Sequence, residues 1–270
     1  MENSLKSQFA NDGYIVLKNL FQDEELEEVK QLTDSIIKWS EKSLEDPFDK
    51  YFMRHRSDQG VLYDLYCRHP EFRRLVDKES LLEALEDIIG KDYFLYENSL
   101  IYKPEGKQNA VPWHQDFMNR KDEPSKYIIW IALDDVKISN GALKFIPGSH
   151  KGGFRSFYKV KGETHHTRLD LSGIDISNFK YGEMKKGDVL IFHHLVIHSS
   201  DLVDVKEPRR AYRFAAQGID QVFTPRSVPI MLRGGKPESF VDLGYNKAYK
   251  KKIFISKVAH KIGKYLINLK

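Results

Sequence analysis

Four residues of the types that bind a metal ion and an organic acid occur in order along the chain. His114 and Asp116 are separated by one residue, and His198 and Arg209 follow further on. In an extended strand, residues i and i+2 point to the same face, so His114 and Asp116 would project into one cavity while Gln115 points away. Two imidazoles and one carboxylate leave positions open on a metal for a chelating co-substrate and O2. The four residues therefore predict a non-haem Fe(II) site that works with an oxoacid.

The third ligand and the arginine come from later segments. Residues 187–198 begin with a turn pair and continue as a β-branched, apolar run, which predicts a strand with His198 near its end. His194 is an alternative third ligand, because it would share a strand face with His198. Arg209 opens another alternating run, and its guanidinium matches a carboxylate such as the far end of 2-oxoglutarate. Arg213 could share the inward face, as a substrate contact or as a surface charge.

The elements that would position these residues change in type along the chain. Apolar residues recur at helical spacing over 26–39, behind the acids at 23–25, and a second helical run over 80–89 ends at Gly90. Alternating, strand-like runs then follow at 94–102, 127–133, 142–146, 188–194 and 211–217. Helices followed by strands predict an α+β chain, with an antiparallel double sheet closed around a site.

Composition indicates one ordinary globular unit. The chain has 270 residues, 41% of them hydrophobic and 30% charged, which suits a single domain over 1–245. The one cysteine, Cys67, excludes an intrachain disulfide and is interpreted as a partly buried core residue. No run approaches the ~20 apolar residues of a membrane span, and the first residues lack a signal-peptide pattern. We expect a cytoplasmic protein with a small-molecule substrate and no nucleic-acid partner.

The C-terminal segment differs in charge from the rest of the chain. Residues 246–270 contain eight lysines and no acidic residue. Their apolar residues fall near helical spacing, which predicts a basic amphipathic helical tail. Two interpretations stay open: the tail packs on the domain with its lysines in solvent, or it makes weak peripheral contact with an anionic membrane.

Several short motifs flank these residues in a recurring order. They resemble the phytanoyl-CoA dioxygenase family of Fe(II)/2-oxoglutarate oxygenases, and the resemblance covers most of residues 5–225. A lone His-x-Asp is a weak signal in a chain with ten histidines, whereas the ordered set is strong. The matching pieces are Phe9 to Leu17 (FANDGYIVL), Trp113-His114-Gln115-Asp116, Asn140 to His150 (NGALKFIPGSH), Gly187-Asp188, Phe192-His193, His198-Ser199-Ser200 and Pro208-Arg209-Arg210-Ala211.

The resemblance implies a fold and a role for each site residue. His114, Asp116 and His198 are expected to be the iron ligands, and Arg209 is expected to hold the 2-oxoglutarate carboxylate, which Ser200 can also contact. The spacing to Arg209 and Ser200 favours His198 over the alternative histidine as third ligand. The implied fold is a double-stranded β-helix, a jelly-roll or cupin-like core with the N-terminal helices packed on one sheet.

The same resemblance implies an activity. We expect a dioxygenase that uses Fe(II), 2-oxoglutarate and O2 to hydroxylate a small-molecule, acyl or natural-product substrate, with release of succinate and CO2. Asp116 favours hydroxylation over halogenation, because related halogenases carry a small residue at that position. Desaturation, cyclisation, a non-catalytic metal- or oxoacid-binding role, and Mn or Zn in place of iron stay open. Val203 and Val205 depart from the family pattern, which leaves details of the pocket undetermined.

Overall fold

The computed structural model describes residues 5–42, 60–103, 110–160, 167–203, 207, 209–219, 230–235 and 258. The predicted domain boundary at residue 245 lies outside these ranges. So does the predicted tail over 246–270, apart from Val258.

Helices dominate the N-terminal part of the chain. They are α1 (Leu5–Asp12), α2 (Asp23–Lys42), α3 (Pro70–Val76) and α4 (Glu79–Ile89). Three acids, at residues 23–25, lie in the first turn of α2, where the positive end of the helix dipole stabilises them. Helix α4 ends at Gly90, whose φ of 109° is strained for other residues and whose N–H donates to the Glu86 carbonyl. Both predicted helices are confirmed as α2 and α4.

The larger sheet contains seven antiparallel strands in the order β1-β10-β5-β12-β3-β13, with β2 paired to β3. Their bounds are β1 (Tyr14–Leu17), β2 (Val61–Tyr63), β3 (Tyr93–Tyr102), β5 (Lys126–Ala132), β10 (Val189–His193), β12 (Arg210–Gly218) and β13 (Ile230–Arg233). A sheet in which sequence neighbours are separated by other strands is typical of jelly-roll folding.

A smaller sheet of four strands, in the order β4-β11-β6-β9, faces the larger one, and a separate hairpin joins β7 and β8. The bounds are β4 (Val111–His114), β6 (Leu143–Phe145), β7 (Phe157–Lys159), β8 (Thr167–Leu169), β9 (Lys180–Gly182) and β11 (His198–Ser200). All these pairings are antiparallel.

The core has two layers, one on each face of the larger sheet. Along β5, Ile129 and Ile131 belong to the cluster formed with the helices, whereas Ile128 and Trp130 belong to the cluster between the sheets. This alternation follows from the two-residue period of a strand that is buried on both faces. The prediction of an α+β jelly roll with N-terminal helices on one sheet is confirmed.

The five predicted strands are present within one residue of their predicted ends. The prediction that one strand continues as far as His198 is wrong. Strand β10 ends at His193, and the Val196 N–H donates to the His193 carbonyl to close a turn. The chain then enters β11 in the other sheet, so His194 and His198 do not share a strand face.

No described helix is both long enough and apolar enough to cross a lipid bilayer.

Candidate active site

The two histidines of the predicted triad lie in neighbouring strands of the smaller sheet. His114 ends β4, His198 begins β11, and the two residues are partners in the strand register. Their ring centroids are 4.1 Å apart. Two residues that are far apart in the sequence are therefore adjacent because their strands are paired.

Backbone carbonyls fix how each imidazole is presented. His114 Nδ1 lies 2.9 Å from the Pro112 carbonyl oxygen, and His198 Nδ1 lies 2.9 Å from the Val196 carbonyl oxygen. Since a carbonyl only accepts, each Nδ1 must carry the proton and donate it, which leaves each Nε2 lone pair free for a metal. Burial lowers the pKa of His114 to about 4 and also lowers the pKa of His198. Both rings are thus neutral at physiological pH.

Asp116 joins the histidines from a turn and not from a strand, which corrects the expected geometry. Strand β4 ends at His114, and the Asp116 N–H donates to the His194 carbonyl at 2.8 Å. Phe117, with a left-handed φ of 55°, turns the chain directly afterwards. Gln115 does point away, because its side-chain amide donates to two backbone carbonyls. Ligand atoms of His114, Asp116 and His198 all lie within 4.8 Å of one another.

Arg213 keeps Asp116 ionised. Arg213 Nη2 donates to Asp116 Oδ2 at 3.1 Å, and Nη1 donates to Glu97 Oε1 at 2.9 Å. Burial raises the pKa of Asp116, but the positive charge of Arg213 outweighs burial, and the pKa is about 2. The surface-charge interpretation of Arg213 is wrong, because its side chain is only 11% exposed.

Arg209 lies immediately before β12 with its guanidinium in the interior. The residue is 3% exposed, and Nε and Nη1 have no hydrogen-bond partner among the described residues. The guanidinium carbon lies 5.3 Å from the centre of the Trp130 ring, so Trp130 packs in the core and also borders this group. Burial lowers the pKa of Arg209 to about 10. Burial of a cation with donors that no described residue satisfies favours an anion at this position.

Lys103 is a site residue that sequence reasoning missed. Its Nζ donates to Ser200 Oγ at 2.9 Å, and its backbone N–H donates to the Arg209 carbonyl at 3.3 Å. Burial and the charge of Arg209 lower the pKa of Lys103 to about 7. The sequence offers one signal for Lys103: it lies two residues after the inward-facing Ile101 of β3, so alternation along a strand would place both on the same face. Two buried basic groups and a hydroxyl thus converge on one place.

Of the remaining residues, one lies beside the triad and three have packing roles. The Phe117 ring lies 5.6 Å from the Arg213 guanidinium carbon and 5.2 Å from the Tyr96 ring, beside the triad. Met118 packs instead in a separate cluster with Ile146. The His193 ring makes edge and tilted contacts with the rings of Tyr127, His150 and His194, which is a packing role. Cys67 is partly buried against the core, as predicted.

The donor set fits the groups that the sequence predicts. Neutral imidazoles and an ionised carboxylate suit a divalent transition metal without prior loss of protons. Arg209, whose Nε and Nη1 have no partner among the described residues, lies beside Lys103 and Ser200, and this group suits a carboxylate of an oxoacid.

Comparison with known proteins agrees with this chemistry. The chain matches the phytanoyl-CoA dioxygenase (PhyH) family over residues 9–211. It is 25% identical over 256 residues to a phytanoyl-CoA dioxygenase domain-containing protein 1 homolog of Caenorhabditis briggsae, covering 78% of this chain and 88% of that protein.

Solved structures share the fold. A non-haem monooxygenase, ThoJ in its apo form, superposes with a TM-score of 0.72 at 16% identity, over 98% of this chain and 99% of that one. EctD from S. alaskensis, solved with 2-oxoglutarate and 5-hydroxyectoine, superposes with a TM-score of 0.66 at 19% identity, over 88% and 86%. The chain therefore belongs to the phytanoyl-CoA dioxygenase family and is a non-haem Fe(II)- and 2-oxoglutarate-dependent dioxygenase.

Proposed function

We propose that His114, Asp116 and His198 are the Fe(II) ligands, and that Arg209, Ser200 and Lys103 bind the far carboxylate of 2-oxoglutarate. The observation that carries the proposal is the convergence of the three ligand atoms within 4.8 Å. The buried guanidinium of Arg209, whose Nε and Nη1 have no hydrogen-bond partner among the described residues, supports the assignment of the carboxylate site. The resulting charge pattern suits a cation at the triad and an anion beside it.

Each protein group has a defined task in this proposal. When bound, Fe(II) with 2-oxoglutarate and O2 supplies an oxidant able to remove hydrogen from a C–H bond, with succinate and CO2 as co-products. His114 and His198 present Nε2 because their Nδ1 protons are held by backbone carbonyls. Arg209 fixes the orientation of the co-substrate through a planar fork. Phe117 and the apolar cluster between the sheets exclude water.

We infer hydroxylation of a small molecule, an acyl compound or a natural product. Two named relatives act on unlike compounds, as the names phytanoyl-CoA dioxygenase and ectoine dioxygenase indicate. Asp116 occupies the position where a halogenase would carry a small residue, which supports oxygen transfer over halide transfer. Desaturation and cyclisation would use the same oxidant on a different substrate.

Anaerobic addition of Fe(II) and 2-oxoglutarate to the purified protein tests the metal and co-substrate assignments together. The chelate should give a visible charge-transfer band with the wild-type protein. His198→Ala should lose the band, whereas His194→Ala should keep it, since the His194 side chain lies outside the ligand cluster. Absence of the band in the wild type, or an undiminished band in His198→Ala, would defeat the assignment.

Two further expectations stay predictions: a cytoplasmic location, where ferrous iron and 2-oxoglutarate are available, and weak membrane contact through residues 246–270. The eight lysines of that segment would be attracted to anionic lipid. Full-length protein should co-sediment with phosphatidylserine vesicles, and protein truncated after residue 245 should not. Failure of the full-length protein to bind would favour a tail packed on the domain.

A further inference from the structure

Arg213 connects a proposed metal ligand, Asp116, to a second carboxylate, Glu97 of β3. It lies on β12 and is paired in register with Ser99 of β3, two residues from Glu97. Its two terminal nitrogens donate to different partners, Asp116 Oδ2 at 3.1 Å and Glu97 Oε1 at 2.9 Å. The Phe117 ring covers the guanidinium at 5.6 Å. The side chain is thus held at three points.

The hydrogen bond from Arg213 makes the two carboxylate oxygens of Asp116 different from each other. Oδ2 accepts from Arg213, while Oδ1 lies 3.7 Å from His114 Nε2 within the ligand cluster. A carboxylate with one oxygen hydrogen-bonded cannot rotate freely about its terminal bond, so the other oxygen keeps its direction. The geometry leaves Oδ1 as the oxygen available to a cation.

Glu97 has an electrostatic consequence for the same oxygen. If Arg213 were paired with Asp116 alone, one guanidinium would neutralise one carboxylate. Because Glu97 shares the guanidinium, Asp116, Glu97 and Arg213 together retain a net negative charge. That charge favours a divalent cation at the triad.

These contacts also argue against a role for Arg213 in holding an acidic substrate. Both terminal nitrogens already donate to carboxylates, and the side chain is only 11% exposed. Arg209 is different, because two of its nitrogens have no partner among the described residues.

We propose that Arg213, held by Glu97, is a positioning residue that orients Asp116 and strengthens metal binding at the triad. The inference rests on the proposed function, since it requires that His114, Asp116 and His198 bind the metal. It adds a supporting pair from β12 and β3 to a ligand that lies in a turn.

Titration of the metal-free, full-length protein with Co(II), followed by absorbance and calorimetry, tests this proposal without turnover. Arg213→Met should raise the Co(II) dissociation constant about 10- to 100-fold, the usual range for loss of a group that supports a ligand. Arg213→Lys should lie between Arg213→Met and the wild type, because one ammonium can serve only one of the two carboxylates well. Glu97→Gln should also weaken binding, since it removes charge but keeps an acceptor for Arg213.

Arg233 provides a matched control. It likewise donates to two carboxylates, Glu86 at 2.8 Å and Glu79 at 2.7 Å, but on the outside of the protein. Arg233→Met should lower thermal stability and leave the Co(II) dissociation constant within about twofold of wild type. A purely structural role for Arg213 would make the two arginine-to-methionine variants alike in metal affinity.

The outcomes separate this inference from the proposed function. If the wild type does not bind Co(II), or if His198→Ala binds it equally well, the proposed metal site falls and this inference falls with it. If the wild type binds and Arg213→Met binds with unchanged affinity, only the role of Arg213 is overturned. Should Arg213→Met not fold, unchanged affinity in both Arg213→Lys and Glu97→Gln would overturn it equally.

Discussion

At the scale of single residues, the site contains buried polar atoms that no described residue satisfies. Burial of a guanidinium with unpartnered nitrogens is costly, and Arg209 has two such nitrogens beside the partly neutralised Lys103. A ligand with a carboxylate would remove that cost on binding. The burial of Arg209 would therefore destabilise the ligand-free protein and also strengthen binding of the co-substrate.

Arg209→Ala should raise the 2-oxoglutarate concentration for half-maximal activity by about 30-fold or more, because loss of a buried charge partner costs about 2 kcal/mol or more. Steady-state succinate formation at varied 2-oxoglutarate measures this. Arg210→Ala is the control, since Arg210 faces the other way and pairs with Asp134. An equal rise in both variants would contradict the assignment.

Asp116→Ala should reduce succinate formation more than about 100-fold, because it removes a proposed ligand and its negative charge. Arg213 would still be paired with Glu97, so the variant should fold. Circular dichroism checks the fold, and Asp175→Asn, which changes an exposed carboxylate, should retain activity. A folded Asp116→Ala variant with normal turnover would refute the ligand role.

Residue type and spacing were sufficient to predict part of the candidate site. His114, Asp116, His198 and Arg209 were all identified in this way, and the structure brings the first three together. Lys103 was missed, and Arg213 was left between two interpretations, because their partners are distant in sequence. Which carboxylate an arginine meets depends on strand register, which a single sequence does not reveal.

At the scale of elements, alternation predicts five strands to within one residue of their ends, but it does not show that the chain leaves the larger sheet after β10. Residues 195–197 are apolar and two of the three are β-branched, so they look like a continuation of β10. The chain turns there because His194 is bonded through its N–H to the Lys126 carbonyl, and Val196 bonds back to His193. One of these hydrogen bonds is tertiary and the other closes the turn, and together they outweigh the local preference for a strand.

Asp188, which precedes β10, joins this strand to the end of β1. It is 2% exposed and accepts hydrogen bonds from the backbone N–H groups of Asn19 and Lys185 and from the Lys18 ammonium. Burial raises its pKa, but these bonds outweigh burial and hold the pKa below the usual value. The ionised form therefore stabilises the fold above the ordinary aspartate pKa, and the contribution disappears as the pH falls below it.

Asp188→Asn should lower the free energy of unfolding by about 2 kcal/mol at pH 7, because hydrogen bonds to a buried charge are lost. Urea denaturation measures the difference, which should narrow as the pH falls below about 4. As a control, Asp122→Asn, at an exposed position, should change the free energy of unfolding by less than about 0.5 kcal/mol at both pH values. A difference that is constant with pH would show that ionisation of Asp188 does not contribute.

At the scale of the whole molecule, ligand binding should stabilise both sheets together. The triad belongs to the smaller sheet and the turn after β4, while Arg213 lies on β12 of the larger sheet and Arg209 immediately precedes that strand. A metal with a chelated oxoacid would thus connect the two layers. Stabilisation by a ligand that binds only the folded state grows with the logarithm of its concentration.

Mn(II) with 2-oxoglutarate, each at about one hundred times its dissociation constant, should stabilise the protein by about 2.7 kcal/mol or more. For a chain of this size, that corresponds to a rise in melting temperature of about 5 °C or more. A chelator should reverse the rise, and His198→Ala should not show it. An equal rise in His198→Ala would indicate metal binding elsewhere.

The pairing of His114 with His198 in the strand register has a consequence for how this enzyme can diversify. The distance between the two imidazoles is set by backbone hydrogen bonding between β4 and β11, and does not depend on the number of residues between them. Insertions or deletions in the connecting segments can reshape what reaches the site while the ligands stay in place. The spacing of the two proposed ligands is therefore independent of the length and sequence of the segments that connect their strands.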